Sequence, residues 1–227
     1  MNRPDTPLSH RLRTETKDAH TTAERSGIMR DVLRGTVSRD AYVALLVNLR
    51  ALYSALETQL DCNRQHAALS GVDWNALKRT VALGSDITTF SGTSGEPVPL
   101  EPSTREYVRR LEQLGTQSPA LLFPHAYLRY LGDLYGGQIM QRILTQAFPE
   151  FGSSGFSFYT FKEIGDVETF KVKFREAIDV LPNQHGDADL MVAEAQRGYE
   201  LHAAMFTELA SDSAAWRNGG TRPKSSP

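Results

Sequence analysis

Apolar residues recur at helical spacing through nearly the whole chain, and no segment alternates apolar and polar positions for the length of a strand. That single period restricts the chain to an all-α fold. Its clearest stretch follows Ser38, a helix cap, where Tyr42, Leu45, Leu46, Leu49, Leu52, Tyr53, Leu56 and Leu60 form one wide apolar stripe. Before it, a helix over residues 9–26 places Leu12, Thr16, Ala19 and Ala23 on one face and stops at Gly27, and a short helix ends at Gly35. After it, a helix is expected to start near Asp73. The segment SGTSGEPVPLEPS then reads as a loop within one domain, with Ser103 and Glu106 as a capping box for a helix ending at Gly115. Ser118 with Pro119 opens the next helix, Asp166 opens one that stops before Pro182, and a last helix spans about 187–210. The domain is thus expected over residues 9–211, between an extension over 1–8 and a polar, disordered tail over 212–227 that includes NGGTRPKSSP.

One of these helices carries residues that oppose it. In HAYLRYLGDLYGGQIMQRIL, Gly132, Gly136 and Gly137 each cost about 1 kcal/mol relative to alanine. At 100° per residue, Gly132 and Gly136 fall within about 40° of each other and expose a strip of bare backbone. Close packing of a second helix would use such a strip, and so would a flat ligand. Asp133 on its flank favours the ligand, because an acid is out of place in a packing seam.

Charge and cysteine content narrow the chemistry. Across 227 residues, 25 basic side chains against 27 acidic ones leave a net charge of -2, which provides no global field for nucleic acid or anionic membrane. Anions must be bound locally. The lone Cys62 makes no intramolecular disulfide, and there is no C-x-x-C-H element for covalent haem attachment. No stretch approaches the roughly 20 apolar residues of a membrane span, so a soluble cytoplasmic protein is expected, without an anchor.

Two further groups stand out. In RLRTETKDAHTTAER, His20 and Glu24 share a helix face, so that the carboxylate can hold one imidazole nitrogen while the other ligates a metal. Arg13 and Lys17 lie on the same side, within reach of an anion beside His20. In FKVKFREAID, Lys171 and Arg175 are one turn apart beside Phe170 and Phe174. Each group alone fits an ordinary charged or amphipathic surface. Together, a ligating histidine, a backbone strip that can cover a plane and cations for carboxylates are what haem requires.

These residues also carry a family likeness. TKDAHTTAE, HAYLRYLGDLYGGQ and FYTF, in that order between Leu8 and Leu209, closely resemble haem oxygenase. The resemblance implies a single all-α domain with haem b between a proximal helix and a kinked distal helix. It implies His20 as the iron ligand, Glu24 as its hydrogen-bonding partner, and Asp133 as the distal carboxylate that orders water. Arg13, Lys171 and Arg175 correspond to the positions that hold the propionates, with Lys17 and Tyr127 as further candidates. Arg129 and Tyr53 correspond to members of the distal network, and Gly132 and Gly136 to the backbone under which oxygen is held. The chain departs from the family at Tyr135, where serine is usual.

The implied reaction uses O2 and external electrons to cleave haem, both cofactor and substrate, at the α-meso carbon into biliverdin IXα, carbon monoxide and ferrous iron. No G-x-G-x-x-G fingerprint and no iron–sulfur cysteine set is present, so a ferredoxin or an NAD(P)H-dependent reductase is the expected electron donor. A haem carrier or sensor on the same fold would need no distal proton-delivery group. A di-iron bundle would need paired Glu-x-x-His elements, which are missing. A thiamine-degrading helical enzyme would need Cys62 as its nucleophile.

Overall fold

The computed structural model describes residues 6–91, 98–152, 154–181 and 187–217, with side chains as far as 211. Residues 218–227 of the tail expected over 212–227, and most of the SGTSGEP stretch, lie outside these residues. Every regular element described is helical: α1 (Leu8–Glu15), α2 (Lys17–Glu24), α3 (Met29–Arg34), α4 (Arg39–Cys62), α5 (Thr80–Ser91), α6 (Pro102–Gln117), α7 (Leu122–Ala126), α8 (Gly132–Ala147), α9 (Val167–Asp179) and α10 (Ala188–Arg217). Leu8 is part of α1 and buried rather than part of an extension, and the α10 backbone continues six residues into the stretch expected to be tail.

Helix α4 is the axis of the core. Tyr42, Leu46, Leu52, Tyr53 and Leu56 are fully buried, and α5, α6, α7 and α10 pack around them. Its start follows the sequence, with the Ser38 side chain accepting from the Ala41 amide. The expected first helix is instead two. The buried Thr16 hydroxyl donates to the Leu12 carbonyl at 2.6 Å, and the backbone departs from helix there, at φ -103°. Gly27 ends the second piece for a reason beyond its φ of +44°: a Cβ there would sit 1.8 Å from the Phe206 carbonyl of α10, which accepts from the Ile28 amide.

Three expected helix ends are corrected. Asp73 accepts from the Asn75 amide and opens only a 3-10 turn (Asn75–Leu77), while α5 begins at Thr80, its amide held by Glu57. Ser103 and Glu106 form no capping box: Pro102 takes the first helical position, and Ser103 donates through its amide and hydroxyl to Glu208 of α10. The cap of α6 comes from buried Asn48 of α4, whose Oδ1 accepts from the Glu101 amide at 2.9 Å and the Thr104 hydroxyl at 2.7 Å. Nor does α6 stop at Gly115, which is glycine because Gln59 of α4 fills the place of a side chain.

The glycine-bearing helix is compound. A 3-10 turn (Pro119–Leu121) leads into α7, a single π turn (Tyr127–Leu131) follows, and α8 starts at Gly132. The π turn thus sits where the bare strip begins. Asp179 of α9 caps α1 by accepting from the Ser9 amide and hydroxyl, at 2.7 and 3.0 Å.

Candidate active site

Two adjoining cavities, of about 830 and 240 Å³, share His20, Glu24, Tyr199, Gly132 and Gly136. Helix α2 with α10 therefore forms one wall and the start of α8 the other. The larger cavity is cationic at its end, with Arg13, Lys17 and Arg175 beside Tyr127 and Tyr135. The smaller is mostly apolar, with Met29, Leu33, Leu45, Leu49, Met140 and Phe206 among its walls. A planar molecule with carboxylates on one edge and hydrocarbon on the other matches this polarity.

On the α2 wall, His20 is 45% exposed, lies edge-on to Tyr199 and has Nε2 3.3 Å from Glu24. The other ring nitrogen, Nδ1, is left for a ligand, and a half-turn of the ring exchanges the two. On the opposite wall, no described atom beyond their own turns of helix lies within 4 Å of where a Cβ would stand at Gly132 or Gly136. Gly132 has ordinary helical angles, φ -56° and ψ -48°. Neither packing nor backbone geometry within the chain requires these glycines. Gly137 differs, since Tyr159 lies against it. The 3-10 turn that carries Tyr159 is held by buried Asp86, which accepts from the Ser157 and Phe158 amides at 2.8 Å each, and by Arg79, which donates to the Thr160 carbonyl.

Behind the strip, Asp133 is locked from both sides. Tyr53 of α4 donates its hydroxyl to Oδ2, and Arg129, one turn earlier, donates to Oδ1 at 3.1 Å. Burial pushes the Asp133 carboxyl above its usual range, against the opposing pull of Arg129 and the Tyr53 hydroxyl. Arg129 also donates to Tyr53 at 3.0 Å and lies 3.3 Å from Nε2 of His202. Because Nδ1 of His202 faces the Gly198 carbonyl at 2.8 Å, that nitrogen carries the proton and Nε2 accepts from Arg129. Burial, then Arg129, holds His202 well below its ordinary pKa and so neutral. The sequence reading missed His202; its one signal was a histidine among the apolar positions of α10.

A second buried chain lies beyond it. Tyr107 and His125 are 2.8 Å apart, His125 and Glu194 2.9 Å, and Arg110 donates to Glu194 at 2.9 Å. Burial raises the Glu194 carboxyl, yet the bonds from His125 and Arg110 prevail and bring it down to about 2 from 4.5. A depressed folded pKa contributes stability that is complete above the unfolded value and is lost as pH falls toward the folded one. Glu194→Gln should therefore flatten the fall of melting temperature between about pH 4.5 and 2. Identical slopes in the two proteins would remove Glu194 from the acid transition.

Lys171 stands apart from the other expected cations. It is 5% exposed, pairs with Glu168 at 2.8 Å and lies 4.0 Å from the centroid of the Tyr135 ring; Tyr135 lines the cleft and Lys171 itself does not.

Known proteins share this arrangement of helices. The heme oxygenase family profile matches residues 6–208. Heme oxygenase 1 of a Nostoc species is 36% identical over 203 residues, 89% of this chain and 85% of that protein. Human heme oxygenase 1 is 34% identical over 206 residues, 89% of this chain and 71% of that one. Among solved structures, heme oxygenase-1 from the cyanobacterium Synechocystis, in complex with heme, superposes with a TM-score of 0.86 at 33% identity, covering 94% of this chain and 96% of that one. The heme oxygenase of Leptospira interrogans gives 0.84 at 32% identity, covering 89% and 100%. With the match running through almost every described helix, the chain belongs to the haem oxygenase family.

Proposed function

We propose that the chain binds haem b in this cleft and opens it at the α-meso carbon to biliverdin IXα, carbon monoxide and ferrous iron, using O2 and electrons from a separate donor. The observation that carries the proposal is the pair Gly132 and Gly136, whose missing side chains face open space and relieve no clash within the protein. Helix α8 gives up roughly 2 kcal/mol of helix propensity there, and only an occupant from outside the chain accounts for that. The donors fit haem: His20 for the iron, and Arg13, Lys17 and Arg175 with Tyr127 for the propionates.

Bound haem supplies the iron at which O2 is reduced and the porphyrin carbon that is oxidised. The protein supplies the rest. Glu24 orients the His20 imidazole. Tyr53 and Arg129 fix both oxygens of Asp133, which can still accept from a water at the edge of the strip and so pass a proton to one side of the bound plane. His202 keeps Arg129 aimed at that carboxylate. The cationic end and the apolar end together admit the plane in one orientation, which is what a single meso product requires. Among the described residues no helix is long and apolar enough to cross a membrane. A cytoplasmic setting, with a ferredoxin or an NAD(P)H-dependent reductase as donor, belongs to the same proposal. A carrier on this fold would have no use for the locked Asp133.

Haem added to the protein should give an imidazole-ligated spectrum that converts to biliverdin under O2 with a reductant. A stable haem band would select the carrier instead. Substituting Ala at Gly132 or Gly136 should raise apoprotein stability by up to about 1 kcal/mol each while weakening haem binding. A loss of apoprotein stability would show that the bare strip serves packing.

A further inference from the structure

Tyr135 and Lys171 form a contact that the proposed chemistry leaves unused. Tyr135 is 51% exposed on the wall of the cationic cavity, about 80° around α8 from the glycine strip. Its ring covers the Lys171 ammonium, whose centroid distance is 4.0 Å, and Glu168 takes the same ammonium at 2.8 Å. Lys171 is left 5% exposed, although Arg175, one turn further along α9, lines the cleft. An ammonium this buried must be held, and the two holds here are a carboxylate that is itself 74% exposed and an aromatic face. The ring is therefore what separates Lys171 from the cleft. With a small side chain at position 135, the flexible four-carbon stem would let the ammonium turn toward any carboxylate bound beside Arg175.

We propose that Tyr135 withholds Lys171 from the cleft, so that the carboxylates of a bound porphyrin are held by Arg13, Lys17 and Arg175 without it. Tyr135 is then a positioning residue: it sets the number and placement of cations at the carboxylate end, and through them the in-plane seating of the ligand. The proposal rests on the haem reading above for the identity of the ligand, but the sequestration of Lys171 is a property of the protein alone.

Two measurements separate these. In the apoprotein, Lys171 should be acetylated by acetic anhydride much more slowly than exposed Lys173 on the same helix, and Tyr135→Ser should bring the two rates together. Equal rates in the wild type would overturn the proposal. In binding titrations with zinc protoporphyrin IX, read by fluorescence, Lys171→Ala and Tyr135→Phe should bind as wild type does. Tyr135→Ser should bind about fivefold tighter, the scale of one added half-exposed ion pair. That gain should vanish in the Tyr135→Ser, Lys171→Ala double variant and in every titration with the porphyrin dimethyl ester. Weakened binding in Lys171→Ala alone, or no gain in Tyr135→Ser, overturns the proposal. Failure of the wild type to bind either porphyrin would strike the haem reading, while the acetylation rates would still decide whether Lys171 is withheld.

Discussion

His20→Ala should abolish biliverdin formation, by at least about a hundredfold, with the fold intact. The side chain is 45% exposed, lies edge-on against Tyr199 and meets Glu24 at the surface, so its loss should cost no more than about 0.5 kcal/mol of stability. The other described histidines offer no substitute. His202 lines the smaller cavity, yet its Nδ1 is committed to Gly198 and its Nε2 to Arg129. His125 is likewise held between Tyr107 and Glu194. His10 and His66 are absent from both cavity walls. Resonance Raman spectra of the variant with haem should lack the iron–imidazole band, and added imidazole should restore it by occupying the vacated space. An imidazole-ligated spectrum without added imidazole would assign the ligand to another residue.

The parts of this fold legible in the sequence are those whose cause is local. The stripe of α4, the Ser38 and Asp166 caps and the turn at Gly35 each depend on residues within a few positions of each other. Where the partner is distant, local rules fail. Ser103 and Glu106 have capping-box spacing, but Asn48, more than fifty positions earlier, does the capping. The π turn at Tyr127–Leu131 inserts backbone that no side-chain pattern marks. Angles counted on a regular helix survive for Gly132, Asp133, Tyr135 and Gly136 because all four lie in α8, after it.

The site divides along the same line. His20, Glu24 and the two glycines could be placed from spacing on single helices. His202 could not, since its role depends on α10 meeting Arg129 across 73 positions. The direction of Lys171 was equally hidden, because helical spacing shows a cation near Arg175 but not the ring that covers it. Asp86 and Arg79 are ordinary charged residues in the sequence, and only the folded chain shows them holding the turn behind the cleft.

For Asp133 the expected result is a protein that binds haem as before but yields at least about tenfold less biliverdin when the residue is Asn or Ala, the usual lower range for a lost proton-transfer group being larger still. Asn preserves the shape and can accept from one of the two donors, Tyr53 or Arg129, but it cannot carry the charge that both now address. Haem affinity should hold in Asn because Asp133 lies behind the strip while His20 and the cationic end are untouched. If water is ordered by the ionised carboxylate, wild-type turnover should rise with pH along a limb centred above the ordinary carboxylate range, as burial dictates, and the Asn variant should lack that limb. Stability gives an independent check. A folded pKa raised above the unfolded one contributes stability below the unfolded value and loses it as pH rises through the folded value. The melting temperature of wild type relative to Asp133→Asn should therefore fall as pH rises through that raised pKa, in the direction opposite to the Glu194 effect. Normal biliverdin yield from Asp133→Asn would remove the carboxylate from proton delivery, and a relative melting temperature that rises over the same interval would show that Arg129 and Tyr53, not burial, govern its ionisation.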